Sequence, residues 1–149
     1  MKIKKLISFL NIFLFCILLS TANTFAVEGA KGIIKERMDK FKESKQLMKK
    51  INVGLQNDNF KVIEESAQML LLWSKEMPKF FPKGSDISPS EASSDIWLNP
   101  EGFNEAIKNF ELASLDLINQ SNTNDREKTI NAFRNLAGTC KGCHQKVRN

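Results

Sequence analysis

Apolar residues recur at steps of three, four and seven in four separate stretches of this 149-residue chain. This spacing places residues on one face of an α-helix, and no stretch shows the strict apolar–polar alternation of a half-buried strand. The predicted helices cover about 31–53, 59–80, 100–118 and 124–144. Two of the three connections are short, while 81–98 is long and contains proline, glycine and serine. The sequence therefore predicts an all-α protein that forms an antiparallel four-helix bundle.

Residues that commonly begin and end helices lie at the predicted boundaries. Gly54 follows the first helix, where glycine is common because it tolerates a left-handed backbone. Asp58 and Asn99 are placed to cap the N-termini of the second and third helices, and Asn99 precedes the proline favoured at a first helical position. Asn124, with Glu127 three residues later, resembles a capping box at the start of the fourth helix.

The N-terminus has the organisation of a secretory signal peptide. A basic stretch, 2–5, precedes an apolar run, 6–19, that is too short to span a membrane comfortably, and small residues follow up to Ala26. Cleavage after Ala26, with Ala22 as the alternative position, leaves 27–149 as a single domain without a membrane span. Three lysines leave with the peptide, so the net charge falls from +5 to +2. No basic cluster is interleaved with aromatic residues, and nucleic-acid binding is therefore not expected.

Cys140, Cys143 and His144 stand within five residues near the end of the fourth predicted helix. They are the only histidine of the chain and, without 1–26, its only cysteines. Because positions i, i+3 and i+4 share one side of a helix, two thiols and one imidazole face the same way. C-x-x-C-H is the spacing for covalent attachment of a haem c. One haem per chain is predicted, with thioether bonds to both cysteines and His144 as an axial iron ligand.

Three other interpretations fit this motif less well. A thioredoxin-like redox pair is expected after a strand and at the start of a helix, whereas this pair ends a helix in an all-helical chain. A structural zinc site needs four ligands, and the motif has three. A disulfide between cysteines three residues apart would close too small a loop to stabilise the fold.

A C-x-x-C-H motif at the C-terminal end of a four-helix chain resembles the class II cytochromes c, in particular the cytochrome c prime family. The similarity extends from about Ile33 to Arg148 and includes Ile33-Ile34-Lys35-Glu36-Arg37, Phe80-Phe81-Pro82-Lys83-Gly84-Ser85 and Asp95-Ile96-Trp97. The resemblance implies a haem against the C-terminal helix of the bundle. It also implies that Arg37 meets a haem propionate, and that Glu91, Trp97 and Arg148 belong to the haem pocket.

The resemblance also points to the residue that decides how the iron is coordinated. In the family this residue lies four positions after the first-helix arginine, where methionine provides a sixth ligand and an apolar residue leaves the iron five-coordinate. Phe41 occupies that position here, and its ring has no lone pair to donate. Met38 lies one turn earlier on nearly the same helix face and is the alternative sixth ligand. Both side chains are predicted to line the haem pocket.

Two functions follow from these alternatives. A five-coordinate haem behind Phe41 would bind small gases, NO and CO, without a hydrogen bond for dioxygen, while a six-coordinate haem would only transfer electrons to redox partner proteins. An enzyme such as a peroxidase is not expected, because its distal acid–base residue is usually histidine and His144 is committed to the iron. The signal peptide and the haem attachment together indicate a periplasmic protein. Members of the family often pair through their first two helices, so the resemblance implies a homodimer as well.

Overall fold

The computed structural model describes residues 31–149, and the predicted signal peptide lies outside them. The described chain forms four long helices: α1 (Gly32–Gln56), α2 (Phe60–Glu76), α3 (Pro100–Ser121) and α4 (Arg126–Val147). A 3₁₀ turn, Met77–Phe80, follows α2, and a single helical turn, Asp95–Leu98, lies within the long connection. No strand forms among residues 31–149, although Ala92 and Arg148 make one antiparallel bridge. The predicted all-α four-helix fold is confirmed.

The helix boundaries differ from the predicted ones by at most four residues. Gly54 lies inside α1 and does not cap it, because the helix continues to Gln56. A Cβ atom on Gly54 would lie 2.8 Å from Cγ1 of Ile63. The glycine therefore allows α2 to pack closely against the end of α1.

Two of the predicted N-caps are displaced by one residue. Asn59, not Asp58, accepts a hydrogen bond from the backbone N–H of Val62 at 3.2 Å. Asp125, not Asn124, accepts one from the backbone N–H of Lys128 at 3.0 Å. Asp58 and Asn124 instead have left-handed backbones. Asn99 precedes α3 as predicted, but its side chain makes no capping bond.

The two ends of the bundle are built differently. At one end, called the closed end, the end of α1, the start of α2, the end of α3 and the start of α4 pack through side chains that are fully or almost fully buried, including Ile51, Ile63, Leu117 and Ala132. At the other end, called the open end, the start of α1, the end of α2, the start of α3 and the end of α4 surround a cavity. Within residues 31–149, no helix is both long and apolar enough to cross a membrane.

Candidate functional site

A cavity of about 690 Å³ occupies the open end of the bundle. All four helices line it, and most of its lining is apolar, including Leu70, Trp73, Phe103, Ala106, Ile107 and Phe110. α1 contributes one wall through Arg37, Met38 and Phe41, and α4 contributes another through its C-terminal turns. This volume and this lining are typical of pockets that hold a large organic cofactor.

The C-x-x-C-H residues lie together on the α4 wall of the cavity. Cys140 and Cys143 are half-buried free thiols, and both line the cavity together with His144. Burial raises the pKa of each thiol, since the thiolate is the form that loses hydration. The structure thus brings the two sulfurs and the imidazole to one wall, as their helical spacing predicts.

Phe41 lies in the α1 wall within a group of aromatic rings. Its ring meets Trp73 edge-to-face with centroids 5.6 Å apart, and Phe81 lies 6.3 Å away on another side. Phe81 in turn packs against Phe103 at 4.8 Å. Sequence reasoning did not single out Trp73, although its position on the apolar face of α2 is a signal for burial. The aromatic contacts hold Phe41 in place beside the cavity.

Both methionines of α1 reach the same cavity. Met38 is 46% exposed and Met48 is half-buried, and each lines the cavity with Phe41. The two residues flank Phe41 along α1, at three residues before it and seven residues after it. The structure therefore places the predicted wall residue and the alternative ligand Met38 side by side.

Arg37 is buried at the edge of the cavity, with 3% of its surface exposed. Its guanidinium donates hydrogen bonds to the Phe80 carbonyl at 3.0 Å and to both the hydroxyl and the carbonyl of Ser85, at 2.8 and 2.6 Å. A fourth bond reaches the Ser90 hydroxyl at 2.8 Å, and the guanidinium carbon lies 4.4 Å from the centre of the Phe81 ring. Burial lowers the pKa of this guanidinium. Four of its N–H groups therefore fasten the long loop to α1, a contact that sequence reasoning did not predict.

Glu91 and Arg148 line the cavity and form an ion pair with each other. Backbone bonds reinforce this contact: the Ser93 N–H donates to the Val147 carbonyl, and the Asn149 N–H donates to the Glu91 carbonyl, both at 3.0 Å. The residues after α4 are thereby joined to the long loop across one edge of the cavity.

Trp97 is not among the residues that line the cavity, and its predicted place in the haem pocket stays a prediction. Its indole N–H donates to the Phe81 carbonyl at 2.9 Å, and its ring packs against the core. The single helical turn that carries Trp97 directs the side chain towards the backbone of the loop. Trp97 therefore supports the loop from which Phe81 reaches the cavity.

These residues fit a covalently attached haem. Two half-buried thiols and one imidazole share a wall, as the two thioether bonds and the axial iron ligand require. Most of the remaining lining is apolar, and Arg148 supplies positive charge at the edge for a carboxylate of the haem. The donor set and the cavity together agree with the prediction made from the motif.

Comparison with known proteins gives the same result over nearly the whole described chain. The family described as Cytochrome C' matches residues 32–148. A cytochrome c' from Pararhodospirillum photometricum is 30% identical over 84 residues, which are 55% of this chain, and the match spans 66% of the length of that relative.

Solved structures show the same fold. The cytochrome c' of Rubrivivax gelatinosus has 26% sequence identity and a TM-score of 0.69, with 78% of this chain and 94% of that one covered. A nitric oxide complex of a mutant cytochrome c prime from Alcaligenes xylosoxidans, 18% identical, superposes with a TM-score of 0.69 over 78% of this chain and 94% of that one. The chain belongs to the cytochrome c prime family, whose members bind haem c covalently.

Proposed function

We propose that this haem protein binds small neutral gases, NO and CO, at a five-coordinate iron. When bound, haem c supplies an iron that takes a gas molecule as a ligand and exchanges single electrons. Cys140 and Cys143 would hold the group on α4 through thioether bonds, and the His144 imidazole would ligate its iron. The observation that carries the proposal is Phe41, a ring without a donor atom, held in the cavity wall by Trp73 and Phe81.

The surroundings of Phe41 favour NO and CO over dioxygen. The cavity lining that Phe41, Trp73, Ile107 and Phe110 share is apolar, so a neutral diatomic molecule enters without losing strong hydration. Stable binding of dioxygen is helped by a hydrogen-bond donor beside it, and Phe41 offers none. The relative from Alcaligenes xylosoxidans was solved as a nitric oxide complex, which supports NO as the first gas to test.

The alternative function is electron transfer by a six-coordinate haem, with Met38 as the second axial ligand. It is favoured by the 46% exposure of Met38 and by its place in the cavity lining. Met38 and Phe41 both line the cavity, and a spectrum of the loaded protein separates the two outcomes.

The test is the absorption spectrum of the reduced holoprotein before and after addition of CO, repeated with NO. We expect broad high-spin bands that shift when gas is added, in the wild type and in Met38→Leu alike. Met48→Leu is the matched control, because it removes the other thioether of α1 that lines the cavity. Narrow low-spin bands that ignore CO in the wild type, and become broad in Met38→Leu but not in Met48→Leu, would establish the electron carrier instead.

We also propose that the mature protein is periplasmic and begins after Ala26. The proposal is supported by the predicted signal peptide and by a motif whose haem is attached outside the cytoplasm. The intact mass of the protein purified from the periplasm should equal that of 27–149 plus one haem. A haem-loaded protein that retains 1–26 would contradict the proposal. Light scattering on the same sample gives the molar mass in solution and so tests the predicted homodimer.

A further inference from the structure

Charge is distributed unevenly over the four helices. α1 contains seven Lys or Arg and three Asp or Glu residues, and α4 contains five and one, so each helix carries +4. α2 has two basic and three acidic residues and α3 has one and four, which gives −1 and −3. The positive helices are the two that form facing walls of the cavity. The side of the bundle that contains α1 and α4 is therefore strongly basic.

Five of these cations flank the cavity where α1 and α4 separate, and they are called the mouth cations: Lys42, Lys45, Lys49, Arg134 and Lys141. The three lysines follow the i, i+3, i+7 spacing of one helix face, and Lys45 itself lines the cavity. Arg134 and Lys141 are two turns apart on α4, in line with Ala137, which also lines the cavity. The basic groups therefore stand on both sides of the mouth.

The mouth cations are exposed and have no acidic partner. All five side chains are exposed, and none belongs to an ion pair within residues 31–149. Arg134 donates only to the Asn131 amide, at 3.2 Å. Like charges on one face repel each other, and solubility would be served equally by cations spread over the whole surface. The arrangement therefore needs a reason other than solubility.

The gases do not supply that reason. NO and CO are neutral, so a ring of positive charge does not attract them. An acidic protein that meets this face is attracted by it, since complementary charge accelerates and orients encounter. A membrane surface fits less well, because membrane-binding faces combine cations with exposed large apolar residues. On α1 and α4 the exposed large apolar residues are Met38, Phe41 and Val53, and the first two line the cavity.

We propose that the mouth cations are the docking surface for an acidic redox protein. The inference rests on the covalent haem but not on the coordination of its iron. In the docked complex one electron leaves the partner, which is oxidised, and the ferric iron is reduced to ferrous. No atom is transferred, and the partner's redox centre must lie beside its acidic patch so that both centres face each other across the mouth.

The probe is a small blue-copper protein with an acidic surface, added in its reduced form to the oxidised holoprotein. Calorimetry gives the dissociation constant, and stopped-flow absorbance gives the rate of electron transfer. The test variant is Lys42→Gln/Lys45→Gln/Lys49→Gln. The matched control is Lys61→Gln/Lys75→Gln/Lys108→Gln, which removes the same charge from α2 and α3. Glutamine retains the helix propensity of lysine in both variants.

At low ionic strength, each charge about 10 Å from a partner charge changes the encounter rate about twofold, so three lysines change it roughly eightfold. We expect the test variant to weaken binding and slow electron transfer by about this factor, and the control to stay within about twofold. Half-molar salt should abolish the difference between the variants. Equal losses in both variants, or no loss in either, would overturn the docking surface.

Two further measurements separate this inference from other outcomes. The CO spectrum of each variant reports on gas binding. If the protein does not bind CO but still docks the probe in a salt-dependent way, only the proposed gas function is overturned. Vesicles of phosphatidylglycerol, with phosphatidylcholine vesicles as reference, test a lipid occupant. Sedimentation of the wild type, but not of the test variant, with the anionic vesicles at physiological salt would assign the surface to a membrane and overturn the protein partner.

Discussion

The same four helices pack tightly at the closed end of the bundle and surround a cavity at the open end. At the closed end, aliphatic residues such as Ile51 and Ile63 are completely buried, and Gly54 removes a side chain so that α1 and α2 can approach. At the open end, aromatic rings and a buried arginine line a cavity of about 690 Å³. The closed end therefore provides stability for an end whose walls are arranged around a ligand.

The largest effect is expected from removing the thiols of the open end. In Cys140→Ser/Cys143→Ser neither thioether bond can form, so acidified organic solvent should extract all of the haem, whereas it should extract none from the wild type. Thr139→Ser, which alters a neighbouring cavity residue without touching a thiol, should retain the haem. Covalent haem in the double variant, detected by haem staining after denaturing electrophoresis, would contradict the assignment.

The next largest effect is expected from truncating one large apolar residue at each end. Leu117→Ala, at a fully buried position of the closed end, should lower the free energy of unfolding by about 3 kcal/mol and leave CO binding unchanged. Phe41→Ala should cost less stability, because its ring is 37% exposed, and should speed CO association about tenfold by opening the wall. Denaturant titration and flash photolysis measure the two quantities. A slower CO reaction in Leu117→Ala would show that the ends are coupled.

A smaller effect is expected when one arginine at each end is replaced by lysine. Arg37→Lys at the open end retains the charge but cannot reach the carbonyls and hydroxyls of residues 80–90 together. We expect a loss of about 2 kcal/mol and faster hydrogen exchange confined to the loop. Arg126→Lys at the closed end alters an exposed ion pair with Asp58 and should cost less than about 1 kcal/mol. If hydrogen exchange in Arg37→Lys increases equally at the open and the closed end of the bundle, Arg37 does not act through the loop.

The smallest effect concerns the start of α4, at the closed end. The backbone N–H of Lys128 lowers the pKa of the Asp125 carboxyl below its ordinary value of 3.8, because it stabilises the charged form. This stabilisation is complete above the ordinary pKa and is lost as the pH falls through the lowered one. The melting temperature of Asp125→Ala should therefore lie below that of the wild type at neutral pH, and the two should converge in acid. Asn124→Ala, at a left-handed position, should show a loss independent of pH. A loss in Asp125→Ala that does not change with pH would show that the Asp125 carboxylate is not the cap.

The sequence predicts those features of the site that depend on local geometry. Cys140, Cys143 and His144 reach one wall because helical periodicity alone places them there. The place of Phe41 in the cavity wall follows from the family resemblance, which counts four positions from Arg37. Both residues lie on α1, so this spacing is local as well. The helix ends were less accurate, since Gly54 serves a contact with Ile63 on another helix, and such a contact leaves no trace in nearby residues.

Features that depend on the path of the long loop could not be predicted. Arg37 was expected to meet a haem propionate, a role that stays a prediction, and its bonds to Ser85 and Ser90 join residues about fifty positions apart. Trp97 was expected in the haem pocket, which also stays a prediction, and its indole N–H donates to the Phe81 carbonyl. In both cases the hydrogen-bond partner depends on how the loop folds back over the helices, which no local sequence pattern shows.

Two facing walls of the cavity belong to the first and the last of the four helices, and Phe41 and Cys140 are about one hundred residues apart in the chain. Contacts between such distant residues carry the greatest loop-closure entropy, whereas α1 with α2 and α3 with α4 can pair as local hairpins. We therefore expect the cavity to be the last part of the bundle to form. Before α1 closes against α4, the two thiols already stand on a helix packed against α3, where they are open to an attaching enzyme. The order of folding would thus leave the attachment face accessible until the wall that contains Phe41 covers it.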